Sequence, residues 1–426
     1  KDGLHCDKLQ MEGGRIVLRM ATDASKGIKC KESFTMTGGS IVGEATGNVT
    51  IEDGETTYCT LLKSNGTFTM TGGEMTLAHQ GLGGRCISVD GNMTIAGGTM
   101  NLECHGDGGS YITASNDQDY FTPKCITVDG TACIERGQLY MLATGDGGKG
   151  IACSDTLMIG RNGDGFLPED SLLMTVETRG TALEDNVSED YRRGCPKAIK
   201  SGGDIYAYSG TMRIKTSGQG GEGVESKGSL RTYNTTIIAD CYDDGINTGL
   251  RFVCKGSHIY ARSKNNDGID SNGKLSIHDG IVASISEDQQ NESFDTENGK
   301  MYIYGGHVIG IGHGSTAVGE ASIPYYTTQF NIDTHNFHTG ENVCLNSDKW
   351  ITLTRNGAAL ISLWHENEFD DFFLTVASSL MVPGEIYEVV DSTKPERPTE
   401  TWLDGQLVLG GTIKEGNNIL LTIKTD

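Results

Sequence analysis

The chain has 426 residues, of which 60 are glycine and 7 are proline, and a formal charge of −23. This acidity argues against a nucleic-acid partner, because phosphate backbones select basic protein surfaces. No run of about 18 apolar residues occurs, which excludes a transmembrane helix. The chain begins at Lys1 without the charged and apolar regions of a signal peptide. Since repeats rich in Gly, Thr and Asn are commonest outside the cell, we expect a secreted or surface protein whose signal segment has been removed.

A short unit of the type Gly-Ile-x-Ser recurs along the chain. Its apolar anchor residues, in chain order, are Ile28, Leu62, Ile87, Ile126, Ile151, Ile199, Val224, Ile246, Ile269 and Phe294. Six of the nine steps between these anchors span 22 to 25 residues, and we interpret the three longer steps as one unit plus an insertion. A constant period indicates one structural unit stacked on itself.

Each anchor is followed by apolar residues six and eight positions later, as in Phe34 and Met36 after Ile28. This alternation is typical of a strand with one buried face, and Gly-Gly turns then separate it from a second strand. We therefore predict an all-β fold, a right-handed three-sheet parallel β-helix of about ten coils over residues 1–320. Each coil would pair with the previous one at a spacing of about 4.8 Å.

Two segments interrupt the period, and a third lies beyond it. Insertions near residues 103–124 and 160–197 are predicted to project as loops. Their candidate ligand contacts are Tyr111, Tyr120, Phe121, Tyr191, Arg192 and Arg193. From about residue 320 the period is lost, and we predict that residues 321–426 form a β-rich cap or extension that protects the last coil.

The chain has 12 cysteines, and none of them form a Cys-x-x-Cys pair, which leaves zinc ribbons and dithiol redox motifs unsupported. Cys86 and Cys125 occupy the same position of neighbouring units. Stacked small apolar side chains and a disulfide both fit this placement, so the state of the pair stays open.

Two positions beside each anchor form charged columns. The residue two before the anchor and the residue one after it are mainly basic up to Lys200 and mainly acidic from Glu222 onward. A small residue directly before the anchor allows a sharp bend, so we expect both positions to face water at one corner. The basic candidates are Lys149, Lys197 and Lys200, and the acidic run comprises Glu222, Glu225, Asp244, Asn247, Asp267, Asp270, Glu292 and Asp295.

Stacked carboxylates repel one another unless a cation lies between them. Calcium binds six to eight oxygens of carboxylates, carbonyls and waters, and we predict Ca²⁺ at Glu222, Glu225, Asp244, Asn247, Asp267 and Asp270. The alternative is that the acids are solvated residues of ordinary Asp-Gly turns. Two interpretations also stay open for the lysines: they neutralise the neighbouring acids, or they bind an anionic ligand together with Arg192.

Several segments resemble a known family. The units Asp-Gly-Ile-Asn-Thr at 244–248 and Asp-Gly-Ile-Asp-Ser at 267–271, the stretch Lys-Leu-Ser-Ile-His-Asp-Gly at 274–280, and residues 362–390 are similar to bacterial calcium-binding right-handed parallel β-helix proteins that bind carbohydrate. Members of that family bind polygalacturonate and cellulose and are similar to family 9 pectate lyases. The resemblance covers residues 195–426. It implies calcium at the acidic corner and a polysaccharide ligand such as an acidic plant cell-wall glycan, bound without cleavage by a secreted protein or at the bacterial cell surface.

Two other functions compete with binding alone. In a pectate-lyase-like enzyme, Lys149, Lys197 or Lys200 would remove a proton from a uronate while calcium stabilises the developing charge. In a surface adhesin, calcium would only stiffen the stack. Gly-x-Ser-x-Gly, His-Glu-x-x-His and P-loop motifs are absent from the sequence, so serine hydrolases, zinc proteases and P-loop nucleotide enzymes are not indicated.

Overall fold

The computed structural model describes residues 2–162, 165–166, 172–183, 194–297, 299–330, 344–414 and 418–425. They divide into two compact units, the first formed by Lys1–Arg231 and Ala239–Gly249 and the second by Thr232–Ile238 and Leu250–Asp426. Strands make up nearly all of their regular structure, and one short 3₁₀ helix spans Leu403–Gly405. The prediction of an all-β protein is confirmed, and most of its strands pair in parallel.

The first ladder of the first unit contains the predicted anchors. Its parallel strands are Leu4–Met11, Lys26–Met36, Thr60–Ser64, Arg85–Val89, Lys124–Val128, Lys149–Cys153, Lys197–Ser201, Glu222–Ser226 and Ile246–Thr248. The anchors are direct register partners from Ile28 to Ile246, which confirms the repeat register in this unit. The ladder also begins one coil earlier than predicted, because Leu4 pairs with Ile28.

Two further parallel ladders complete the coils of the first unit. The second comprises the ends of Leu4–Met11 and Lys26–Met36, then Thr67–Met70, the first halves of Met93–Cys104 and Ala132–Ala143, Leu157–Ile159 and Ile205–Ala207. The third comprises Arg15–Met20, Ser40–Ala45, Glu74–His79, the second halves of Met93–Cys104 and Ala132–Ala143, Leu172–Thr178 and Thr211–Thr216. Strands Ser229–Tyr233 and Thr236–Cys241 follow in the chain. The first unit thus contains three parallel ladders, and its assignment as a three-sheet β-helix stays a prediction.

Antiparallel hairpins interrupt the first unit where the anchor steps are long. Thr50–Glu52 pairs with Glu55–Thr57, Gly109–Ile112 with Gln118–Phe121, and Arg161–Asn162 with Gly165–Phe166. Each of the three long steps between anchors therefore contains one hairpin. The predicted insertion at 160–197 is narrower than expected, because residues 172–178 are a strand of the third ladder.

The interior of the first unit consists of stacked apolar side chains. Ile28, Ile126 and Ile246 are fully buried, and the Phe34 and Phe68 rings stack with their centroids 5.0 Å apart. Each such buried side chain contributes about 1.5–3 kcal/mol. The second glycine of the Gly-Gly turns has a positive φ of 88° at Gly39, which side chains with a Cβ rarely adopt.

All 12 cysteines are free thiols in the structure, so Cys86 and Cys125 are not bonded. Both are buried in the interior of the first unit, and the Cys86 Sγ lies 3.6 Å from the Sγ of Cys104. Stacked small side chains, rather than a disulfide, account for the shared position of Cys86 and Cys125.

The second unit also contains parallel pairs. Its strands of this kind are Arg251–Ser263, Ile269–Ser271, Lys274–Ser286, Phe294–Asp295, Met301–Ile303, His307–Gly312 and Val318–Ala321. Ile269 and Phe294 are register partners, so the last predicted anchor is correctly aligned. Parallel pairing ends at Val318–Ala321, close to the point where the sequence period is lost.

The remaining strands of the second unit pair antiparallel. Phe372–Ser378 pairs with both His307–Gly312 and Tyr325–Phe330. A separate sheet has the strand order Glu400–Trp402, Leu407–Leu409, Ala358–His365, Lys349–Arg355, Ile386–Ser392 and Asn418–Lys424. Its apolar face and the stacked rings of Phe330 and Phe372 belong to one hydrophobic core. The predicted boundary at residue 320, between a β-helix and a β-rich cap, stays a prediction. Within the described segments, no helix has the length and apolarity needed to cross a bilayer.

Candidate functional site

The basic column of the first unit is formed by consecutive coils of the first ladder. Arg85 pairs with Lys124, Lys124 with Lys149, Lys149 with Lys197, and Lys197 with Glu222. Neighbouring strands lie about 4.8 Å apart, so four cations follow one another before the first acid. The sequence predicted this order of charges, and the strand register confirms it within the first unit.

The expectation that these side chains face water is wrong for Lys149, Lys197 and Glu222. Lys149 and Lys197 are 3% and 0% exposed, and Glu222 is 0% exposed. The Lys149 Nζ donates hydrogen bonds to the Gly147 carbonyl oxygen at 3.1 Å and to the Thr122 Oγ1 at 3.4 Å. The side chain thus folds back over the turn that precedes its strand, and that turn covers it.

Lys197 forms a buried ion-pair cluster with the acids of the next coil. Its Nζ is in contact with Glu222 Oε1 and lies 3.6 Å from Glu225 Oε1. Glu225 is also paired with Lys200 at 3.1 Å and with Lys227 at 2.7 Å. The structure therefore favours the interpretation in which lysines neutralise neighbouring acids at this boundary.

The pKa shifts in this cluster follow from its ion pairs. Burial alone would lower the pKa of Lys197, but Glu222 and Glu225 outweigh burial and raise it above its usual value. Burial would raise the pKa of Glu225, but Lys197, Lys200 and Lys227 outweigh it and hold that pKa well below its usual range. Lys197 therefore stays protonated, which makes it unsuitable as a base, and both glutamates are already neutralised by lysine.

A groove of about 440 Å³ in the first unit collects most of the remaining cations. It is lined by Arg85, Lys124, Lys149 and Lys200, by the carboxylates of Asp119 and Asp129, and by polar and small residues that include Tyr120, Thr122, Thr127 and Ser154. Four basic side chains against two carboxylates make the lining of this groove basic, although the whole chain carries −23. We call this feature the cationic groove.

Lys124 lies at the middle of the cation column. Burial, together with the charges of Arg85 and Lys200, lowers the pKa of Lys124 to about 7. Burial and the neighbouring lysines Lys124, Lys200 and Lys197 lower the pKa of Lys149 well below its usual range. Lys124 therefore changes charge near neutral pH. The repeat period places Lys124 in the basic column, two residues before Ile126, but its titration depends on burial, which the period does not reveal.

Aromatic and acidic side chains shape the edge of the cationic groove. The guanidinium carbon of Arg85 lies 3.3 Å from the centroid of the Tyr58 ring, which holds the cation in place. The hairpin of the insertion near 103–124 contributes Asp119 and Tyr120 to the lining, and Tyr111 donates a hydrogen bond to Asp119 Oδ2 at 3.2 Å. Of the predicted ligand-binding residues, Lys149 and Lys200 line this groove and Lys197 does not. Arg192, like Tyr191 and Arg193, lies outside the described residues.

The predicted metal ligands fall into three groups. Glu222 and Glu225 belong to the lysine cluster. Asp244, which is 1% exposed, accepts a hydrogen bond at 2.9 Å from the Asn247 side chain through Oδ2. Asp267 and Asp270 lie in the second unit, whereas the other four predicted ligands lie in the first. The shared column of acids across all six residues therefore stays a prediction.

In the second unit, Asp267 and Asp270 lie beside two more acids of the predicted run. Asp270 pairs in register with Asp295, and Asp267 Oδ1 accepts a hydrogen bond from the Glu292 backbone N–H at 2.5 Å. Burial, Asp295 and Asp267 raise the pKa of Glu292 to about 7. Burial also raises the pKa of Asp295. We call these four residues the acidic cluster; after burial, the charges of Asp295 and Asp267 are the causes that raise the pKa of Glu292.

Among the described residues, one group of acidic and sulfur side chains has the close spacing of metal ligands, and it is not the acidic cluster. One oxygen of Glu368, one of Asp370 and the Cys344 Sγ lie within 4.8 Å of one another in the second unit. The sequence analysis did not select these residues, because they come from the region without repeats.

The comparisons with known proteins give one finding. Residues 1–165 match a family model described as "Carbohydrate-binding domain-containing protein". No curated protein and no solved structure matches the chain. The matched segment contains Arg85 and Lys124 of the cationic groove and the hairpin that carries Asp119 and Tyr120, which supports carbohydrate binding.

Proposed function

We propose that this protein binds an acidic polysaccharide in the cationic groove without cleaving it. The observation that carries the proposal is the lining of the groove, with four basic side chains and two carboxylates on a chain of charge −23. The carboxylates of a uronate chain would pair with Lys124, Lys200 and Arg85, and Tyr120 offers a ring face to a pyranose. The family match over residues 1–165 supports a carbohydrate rather than another anion.

The fold assignment and the cellular location of the protein are also proposals. Stacked three-strand coils with parallel ladders are what a parallel β-helix requires, and parallel connections are right-handed in nearly all proteins. We accordingly propose a right-handed three-sheet parallel β-helix, with a secreted or bacterial cell-surface location and an acidic plant cell-wall glycan as partner.

Calcium is proposed at the acidic cluster of the second unit. Asp267, Asp270, Glu292 and Asp295 supply carboxylate oxygens, the donor that calcium prefers, and the raised pKa of Glu292 fits a site that lacks a compensating charge. Glu222 and Glu225 do not fit, because lysines already neutralise them. When bound, calcium would supply two positive charges that relieve the repulsion among these acids.

The test is binding of polygalacturonate, with neutral dextran as the comparison ligand. We expect wild type to bind polygalacturonate at low ionic strength and not dextran. A Lys124→Met/Lys200→Met variant should bind at least about tenfold more weakly, because two ion pairs are lost. Lys8→Met is the matched control: Lys8 is 70% exposed, pairs with Glu32 and lies outside the groove. Equal affinity of the double variant and the control would overturn the proposal.

A chelator distinguishes a role of calcium in saccharide binding from a role of calcium in stability alone. Loss of polygalacturonate binding on chelation would show that recognition needs calcium. A lowered melting temperature with unchanged binding would show that calcium only strengthens the protein, and a lowered melting temperature in a protein that binds no saccharide would favour the surface adhesin.

One observation favours a second function, a polysaccharide lyase. A lysine with a pKa of about 7 can accept a proton near neutral pH, and Lys124 has this property within the groove. It replaces Lys197 as the candidate base, since Lys197 stays protonated. Unsaturated uronate absorbance that appears with wild type and disappears in Lys124→Met would establish the lyase and contradict binding without cleavage.

A further inference from the structure

A second cationic surface lies in the second unit. A groove of about 400 Å³ is lined by Leu250, Arg251, Gly273, Lys274, Lys300 and Tyr302. Three of these six residues are cations and none is an acid. In a chain with 57 acidic and 34 basic side chains, a groove lined only by cations and apolar or aromatic groups requires an explanation.

The strand register places the three cations in a row. Arg251 pairs directly with Lys274 across neighbouring parallel strands. Lys300 precedes Met301, which pairs with Leu275, so Lys300 lies opposite Lys274 on the next strand. Successive strands lie about 4.8 Å apart, and like charges at that distance repel one another.

One aromatic ring, that of Tyr302, lines this groove. The Lys274 Nζ lies 4.0 Å from the centroid of the Tyr302 ring. The ring of Tyr304 stacks beside Tyr302 with a centroid distance of 6.4 Å and an interplanar angle of 21°. Leu250, at 59% exposure, adds an apolar edge. A flat aromatic and apolar floor with cations along one side suits the apolar face of a sugar ring and its charged substituents.

The first unit contains a similar pair of a cation and an aromatic ring, but there the cation is neutralised by a carboxylate of the protein. There, Arg231 lies over the Tyr206 ring at 5.2 Å and forms an ion pair with Asp204 at 2.7 Å. For Arg251, Lys274 and Lys300, the described part of the chain provides no carboxylate within ion-pair distance. The same combination of ring and cation is thus compensated in one place and left for an external anion in the other.

We propose that Arg251, Lys274, Lys300 and Tyr302 form a second glycan-binding site, which takes a sugar that carries carboxylate or sulfate groups. The Lys274 amine leaves the Tyr302 ring face, the sugar ring takes its place beside Leu250, and the anionic groups of the sugar pair with the three cations. The site extends the proposed function but does not rest on it, because it uses residues of the second unit alone and no metal ion.

The experiment uses the full chain with the cationic groove already disabled by Lys124→Met/Lys200→Met. Oligogalacturonate, a sulfated oligosaccharide and neutral dextran are titrated in the presence of a chelator. We expect this background to retain binding of at least one of the two anionic ligands, with an affinity that falls as salt is added. The preferred ligand identifies whether carboxylate or sulfate is recognised.

Further substitutions in that background locate the site. Lys274→Met/Lys300→Met should weaken binding at least about tenfold, and Lys414→Met, which removes an exposed lysine paired with Glu396 elsewhere in the unit, should not. Tyr302→Phe should keep the affinity and Tyr302→Ala should lose it, because only the ring face is needed. The proposal is overturned if the groove-disabled background binds neither anion, if Lys414→Met weakens binding as much as the double substitution, or if Tyr302→Ala has no effect. Failure of the groove variants alone would contradict only the function proposed for the first unit.

Discussion

The charge of Lys124 should make polyanion binding depend on pH around neutrality. With a pKa of about 7, this lysine is about 90% protonated at pH 6 and about 10% protonated at pH 8. Uronate carboxylates are charged at both pH values, so the ligand does not titrate. If only the protonated lysine forms the ion pair, the affinity for oligogalacturonate falls about tenfold from pH 6 to pH 8, which corresponds to about 1.4 kcal/mol.

The measurement is a calorimetric titration of oligogalacturonate from pH 5.5 to 8.5 at constant ionic strength. A chelator is present throughout, because Glu292 also titrates near pH 7 and would change metal binding. Binding at pH 8 should take up about one proton, which shows as a dependence of the enthalpy on the buffer.

Two variants decide whether Lys124 is responsible. Lys124→Arg stays charged and should bind equally well at pH 6 and pH 8, whereas Lys8→Met should keep the pH dependence of wild type. A wild-type affinity that does not change between pH 6 and pH 8 would refute the reasoning, as would an unchanged pH dependence in Lys124→Arg.

Three further predictions concern stability. Lys197→Met should destabilise the first unit by about 3–5 kcal/mol, because it leaves buried carboxylates without their cation. Lys200→Met, at a residue 23% exposed, should cost about 1 kcal/mol or less. Hydrogen exchange in the strand Lys197–Ser201 measures both changes, and equal effects of the two substitutions would contradict the burial argument. Because the folded-state pKa of Glu292 is raised from 4.5 to about 7, the folded state holds more protons than the unfolded state across that window, so stability falls as pH rises through it. Glu292→Gln should therefore raise the free energy of unfolding by about 1–2 kcal/mol at pH 8 in chelator, a figure that allows for the partial exposure of the residue. The variant should also lack the rise in melting temperature that calcium gives wild type. A calcium response that survives the substitution would place the ion elsewhere. Gly66→Ala should cost about 1–3 kcal/mol, because its Cβ would lie 1.8 Å from a backbone carbonyl oxygen of the neighbouring coil, while Gly13→Ala, with no atom within 4 Å, should be neutral in a denaturation midpoint.

The register of the coils could be predicted from the sequence because one buried residue type recurs at one position. Ile126, Ile151 and Ile199 are separated by different chain lengths, yet the small residue before each and the small residue two after each identify them as equivalent. Leu4 has the same two neighbours, Gly3 and Cys6, so the first coil could also be predicted from the sequence. The strand at residues 172–178 was missed because the insertion around it hides the period.

The environment of the charged columns could not be predicted in the same way. The position of a residue in the repeat predicts which residues become its neighbours, but the exposure of its side chain depends on the turn that precedes each strand. Lys149 is covered because its amine reaches the Gly147 carbonyl oxygen, and Lys26 likewise donates to the Ala24 carbonyl oxygen at 2.9 Å. The same limit applies to the cationic groove, whose edge comes from a hairpin at residues 109–121 that packs beside strands distant in sequence.

The parallel ladders of the first unit also determine how its gene can change length. Loss of one codon within Lys149–Cys153 would turn Ile151 away from the interior and place a neighbour in its stead, so such changes should be eliminated by selection. Trimming the hairpin at residues 109–121 would leave the paired strands on either side in alignment, and duplicating a whole coil would add another layer with matching surfaces. Homologues of this protein should therefore differ by entire coils or by loop excursions.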